Sequence, residues 1–125
     1  MSITHIVLFQ FKEGVSPEVV NDVCERMLGL KDNCIHPSSQ KPYIKSSSGG
    51  RDNSIEGAQY ENPLAALLIS VMRKNGISHA FVVEFANAAD RDFYIEKDPV
   101  HLAFVRSLDG IIERAQVIDY TPGVL

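Results

Sequence analysis

Apolar residues recur with a period of two in three stretches of the chain and with a helical period between them, so strands and helices can be placed from the pattern alone. The first stretch, Ile3 to Lys12, sets Ile3, His5, Val7, Phe9 and Phe11 on one face and Thr4, Ile6, Leu8 and Gln10 on the other. Both faces are largely apolar, and such a strand needs cover on both sides. Ser16-Pro17-Glu18 supplies an N-cap, a first-turn proline and a carboxylate at the positive end of a helix. Val20, Val23, Cys24, Met27 and Leu28 then form one apolar stripe, and Gly29 marks the expected end. From Asn33 to Gly57 the chain is rich in turn formers, and only Pro42 to Ser46 offers a short strand. Ser46 to Arg51 reads as loop: its glycines and serines lack the lysine and spacing of a phosphate-binding P-loop.

Asn62-Pro63 starts a helix over Leu64 to Met72, closed by Arg73, Lys74 and Gly76. The strand Ile77 to Phe85 places His79, Phe81, Val83 and Phe85 on one face. Asn87 caps a helix from about Ala88 to Lys97, which breaks at Asp98-Pro99 because a proline disfavours helical backbone in the residue before it. His101, Leu102, Val105 and Leu108 mark a second helical piece, and a last strand covers Ala115 to Tyr120. This order predicts an α+β protein, a ferredoxin-like βαββαβ sandwich. Its helices cover one sheet face, so the other apolar face calls for a partner, and a second copy of the chain is the simplest one.

Composition narrows the partners. With 125 residues, 45% of them hydrophobic and 22% charged, the chain fits a single globular domain over residues 1–125. A net charge of −4 without a cluster of Lys and Arg speaks against nucleic acid and anionic membranes. The apolar run Leu64 to Ile69 is far shorter than the roughly 20 residues of a membrane span. No secretory signal opens the chain, so the cytoplasm is the expected compartment, with Cys24 and Cys34 reduced and Cys24 a core residue. No ligand spacing joins the histidines into a metal site, and no cofactor is expected.

Three stretches carry a family resemblance. They are Ile3-Thr4-His5-Ile6-Val7-Leu8-Phe9-Gln10-Phe11-Lys12, then Ser78-His79-Ala80-Phe81-Val82-Val83-Glu84-Phe85, and Asp98-Pro99-Val100-His101-Leu102-Ala103-Phe104 together with Val117-Ile118-Asp119-Tyr120-Thr121-Pro122. The chain resembles the stress-responsive dimeric α/β-barrel (Dabb) family, and the Pro-x-His-x-x-Phe element is the most specific piece. The resemblance implies two protomers packed sheet to sheet into a barrel, each with a small apolar pocket between its sheet and helices that binds a small hydrophobic molecule. Some members resemble metal-free polyketide cyclases of the olivetolic acid cyclase type, which close a linear chain by aldol condensation. By that likeness His101 is the base, Tyr94 the acid and His5 the second pocket histidine, with Val7, Phe9, His79, Phe81 and Phe104 lining the pocket. Counting back from Pro99 instead puts the tyrosine position on Ile95, and Asp98 stands where many members have a histidine. A non-catalytic structural stress protein with a filled pocket is the remaining class. Tyr60 to Lys74 has no counterpart in the family and reads two ways. It is a native helical insertion, or a retained intron, since Gln59-Tyr60-Glu61 can be written CAG-TAT-GAG with a donor-like GTATGAG inside.

Overall fold

A computed structural model describes residues 1–55, 62–65, 67–68 and 76–125. Strand β1 (Ile3–Phe11) leads into helix α1 (Pro17–Asn33), strand β2 (Ile44–Arg51) and strand β3 (His79–Phe85). Helices α2 (Ala88–Glu96) and α3 (Pro99–Ser107) follow, and strand β4 (Ile112–Tyr120) closes the fold. The four strands form one antiparallel sheet in the order β2-β3-β1-β4. This is the ferredoxin-like α+β arrangement, with its second helix broken in two at Asp98-Pro99.

Local sequence explains most of these elements. The Ser16 side chain accepts a hydrogen bond from the Val19 N–H at 3.3 Å, and Pro17 occupies the first turn of α1. Gly29 does not end that helix, which runs on to Asn33. A helical glycine costs only about 1 kcal/mol, and here Val23, Met27 and Leu30 bury a continuous stripe that Cys34 extends past the helix end. Tertiary burial outweighs the local signal, and Leu28, expected in the stripe, is partly exposed instead.

Ser46 to Arg51 is the clearest departure from the sequence pattern. It is edge strand rather than loop, paired with β3 from Ser46↔Glu84 to Arg51↔His79. A strand of serines and glycines buries little, so its hydrogen bonds to β3 hold it rather than its own pattern. Gly49 lies opposite Phe81, and a Cβ there would fall on the Phe81 ring and the Ala80 carbonyl, so glycine is what lets the two strands meet.

On the helix side, the core gathers Phe9, Phe81, Phe85, Tyr94 and Phe104 with the buried stripe of α1. On the other side, Ile6 sits between Val82 and Ile118, and Leu8 between Ala80 and Gln116. Ile118 and Tyr120 are strongly exposed there. The face without helices thus has an apolar centre of Ile6, Leu8, Val82 and Ile118, edged by Thr4, Glu84 and Gln116. Of the segment Tyr60–Lys74, residues 63–65 and 67–68 are helical, with Asn62 Oδ1 accepting from Leu64 N–H at 2.9 Å. Leu64, Leu67 and Leu68 are exposed. The rest of the expected insertion helix lies outside the described residues.

Candidate functional site

A cavity of about 210 Å³ opens between the sheet and the helices. Strand β1 contributes His5, Val7 and Phe9, all of one parity, and β4 contributes Ala115 and Val117, which pair with Phe9 and Val7. Helix α1 adds Met27, α2 adds Tyr94 and Ile95, and α3 adds His101, Phe104 and Val105, with Leu108 at its C-cap. These last four residues fall at i, i+3, i+4 and i+7, one face of the helix. His5, Phe9 and Tyr94 are buried at the inner end, whereas Ile95, Val105 and Val117 are exposed at the mouth. None of the described lining residues is Lys, Arg, Asp or Glu.

Asp98 places His101. Its Oδ1 accepts from the Val100 N–H at 2.9 Å and from the His101 N–H at 3.3 Å, which caps α3. Its Oδ2 accepts from the Tyr43 hydroxyl, so the loop before β2 is tied to the α2–α3 junction. Burial pushes the Tyr43 hydroxyl well above the usual phenol range, and its bond to Asp98 adds to this. Cys34 lies beside the same carboxylate, and burial followed by the Asp98 charge pushes its thiol up to about 12. Both cysteines are free, and Cys34 is a buried, unreactive thiol.

The His101 ring stacks on Tyr94 with centroids 3.8 Å apart, and Tyr94 meets His5 edge to face at 5.9 Å. His101 Nδ1 is buried and has no hydrogen-bond partner among the described residues. Burial lowers the pKa of His101, and His5 pushes the same way, against the Tyr94 backbone and Asp98. Tyr94 is held above the usual phenol range by burial first, then by Cys34 and Asp98, so it remains a neutral donor. At the far side of the site His5 Nδ1 lies 2.6 Å from Asp119 Oδ1. A carboxylate only accepts, so His5 donates through Nδ1. Asp119 Oδ2 accepts from Arg91 Nη1 at 2.8 Å.

A lowered imidazole pKa has a defined sign for stability. The unfolded chain takes up a proton near pH 6.5 while the folded His101 resists it, so stability is full above that pH and falls as the pH drops toward the folded value. His79, lowered by burial and by Arg51, acts in the same direction. Urea unfolding between pH 7 and pH 5 is expected to show this decline, and His101→Gln is expected to flatten it.

The lining therefore includes His5, Val7, Phe9, Tyr94, His101 and Phe104, and both Tyr94 and Ile95 reach it. His79 and Phe81 do not line it. The strand order puts β3 and β4 on opposite sides of β1, and the cavity opens toward β4. Phe81 is fully buried against Phe9 with centroids 5.6 Å apart. His79 packs on Phe11 at 5.1 Å, with Ser78 Oγ 2.8 Å from its Nδ1. Asp119 and Arg91 carry the polar side of the site without having been singled out in the sequence. Asp119 shares the parity of Val117 and Ala115, and a carboxylate on the inward face of a strand was the available signal.

Among the described residues no group of three or more His, Cys, Asp or Glu side chains could hold a metal ion. No helix among them is long and apolar enough to cross a membrane.

The family model described as the stress responsive A/B barrel domain matches residues 3–122. The chain belongs to this family. It is 28% identical over 120 residues to the stress-response A/B barrel domain-containing protein HS1 of Arabidopsis thaliana, covering 96% of this chain and 89% of HS1. A crystal structure of an Arabidopsis thaliana protein shares 28% identity at a TM-score of 0.70, covering 98% of this chain and 97% of the other. The fold is also that of hydroxynitrile lyase from Passiflora edulis, at 19% identity and a TM-score of 0.68, with 99% and 96% of the chains covered. A dimeric ferredoxin-like protein from Thermobifida fusca matches at 18% identity and a TM-score of 0.64, over 97% and 91%.

Proposed function

We propose that this stress-responsive α/β-barrel protein works as a cytoplasmic homodimer, each protomer binding a compact, neutral, largely apolar molecule in its own cavity. The observation that carries the reading is the buried His101 Nδ1, a polar atom without a partner among the described residues, on the wall of an otherwise apolar cavity. A ligand oxygen or hydroxyl would satisfy it, and leaving it unmet costs on the order of 1–3 kcal/mol. The volume of about 210 Å³ is below the roughly 300–1,000 Å³ of sites for drug-sized ligands, so the occupant is small. None of the described lining residues is a Lys or Arg that could meet a carboxylate or phosphate, which disfavours anions. For the dimer, the support is the apolar open sheet face and the dimeric form of the related fold from Thermobifida fusca.

A second reading, a metal-free aldol-type or polyketide cyclase, is favoured by the convergence of two imidazoles and a phenol ring in one cavity. In that chemistry an imidazole removes a carbon-bound proton flanked by carbonyls, a neutral donor meets the developing enolate oxygen, and the apolar walls hold the chain folded. An open cavity beside His101 speaks for binding or catalysis over a filled, purely structural pocket.

Titrating acetophenone and benzoate into methyl-labelled protein tests the first reading. Acetophenone is expected to shift the methyls of Val105, Leu108 and Val117 with millimolar or tighter affinity, benzoate to leave them in place, and Ala115→Phe to abolish the shifts. No shift with acetophenone, or shifts that survive Ala115→Phe, would overturn it.

A further inference from the structure

We infer that Arg91, Asp119 and His5 form a proton-accepting unit, with His5 Nε2 as the base of the cavity and Asp119 and Arg91 as its positioning residues. The inference rests on reading the cavity as a small-molecule site. Because the Asp119 carboxylate can only accept, the 2.6 Å contact fixes the neutral His5 ring with its proton on Nδ1, leaving the Nε2 lone pair for the cavity. A proton taken at Nε2 makes an imidazolium whose charge is met at once by that carboxylate. Arg91 holds the carboxylate from its other side, Nη1 to Asp119 Oδ2 at 2.8 Å, and is itself fixed by its Nε to Asp92 Oδ1 at 2.7 Å. The carboxylate thus has little freedom to rotate away from the ring.

His101 has no such support. The Asp98 oxygens are engaged by Tyr43 and by two backbone N–H groups, and among the described residues no carboxylate is hydrogen-bonded to the His101 ring. Its burial disfavours the charged form as well. The groups that face His5 are Asp119 from β4, Tyr94 from α2 with Arg91 behind Asp119, and His101 from α3. From β3, Val83 and Phe85 carry no charge. His101 and Tyr94 are then left to meet an oxygen on which negative charge develops.

The probe is 5-nitrobenzisoxazole, a neutral bicyclic compound with one acidic carbon-bound proton. That proton moves to Nε2, the C–H electron pair completes a nitrile, the N–O bond breaks, and its electrons go to a coloured phenolate; no co-reactant is needed. The His5→Ala variant is expected to lower turnover by about 10²-fold or more, and Asp119→Asn by about tenfold. Arg91→Lys should retain more turnover than Arg91→Met, and His101→Ala should cost less than His5→Ala. In parallel, ¹⁵N spectra of the imidazoles are expected to show neutral His5 protonated on Nδ1.

If the probe shifts the cavity methyls but turnover depends on His101 more than on His5, the inference fails while the small-molecule reading stands. If it leaves those methyls in place, the small-molecule reading fails and the tautomer of His5 decides the assignment alone. A neutral His5 protonated on Nε2 overturns it.

Discussion

Asp98→Ala is expected to destabilise the fold by about 3 kcal/mol or more, among the largest effects of any single substitution here. The substitution removes the cap of α3, leaves the Val100 and His101 N–H groups without their acceptor, and strands the buried Tyr43 hydroxyl. Each loss falls on the helix that carries His101, Phe104, Val105 and Leu108 to the cavity, so the variant loses ligand affinity along with stability. Asp98→Asn keeps an oxygen that can accept from either partner and is expected to cost markedly less. Urea unfolding checks both, a lower midpoint at unchanged slope being the signature of lost stability.

The second large effect concerns the open sheet face. Ile6→Asp sets a carboxylate between Val82 and Ile118 on the face proposed to meet a second copy. An uncompensated buried charge costs on the order of 3–5 kcal/mol, and each 1.4 kcal/mol is tenfold in affinity, so association is expected to weaken by about 10²–10⁴-fold. Sedimentation should give twice 13.9 kDa for the unaltered protein at micromolar concentration and a folded monomer for the variant. A stable monomer of the unaltered chain at that concentration would remove the dimer from the account.

Much of the fold was legible because its signals are local. The alternation in Ile3–Phe11 and His79–Phe85, the Ser16-Pro17 start of α1 and the Asp98-Pro99 break all appear where the sequence places them. What escaped the pattern depends on neighbours distant in the chain. Ser46 to Arg51 is a strand because β3 lies beside it, and Gly29 stays helical because Leu30 and Cys34 have a core to enter. The site divides along the same line. Parity alone puts His5, Val7 and Phe9 on one wall, and helical spacing from His101 reaches Phe104, Val105 and Leu108. His79 and Phe81 share the inward parity of their strand, yet only the order β2-β3-β1-β4 shows that they lie on the side of β1 away from the cavity. The contact of His5 with Asp119 joins residues 114 positions apart and follows only from the β1–β4 register.

A small neutral molecule proposed to sit in the cavity between β1, β4 and α3, against the two imidazoles, should be visible in a crystal structure of the protein soaked with acetophenone. Density is expected inside the cavity, the ring among Val7, Phe104, Val105 and Val117, and the carbonyl oxygen within hydrogen-bond distance of His5 or His101. Density only in the surface clefts beside Arg51 and His79, or a cavity closed by the Phe104 ring with no ligand bound, would contradict that placement.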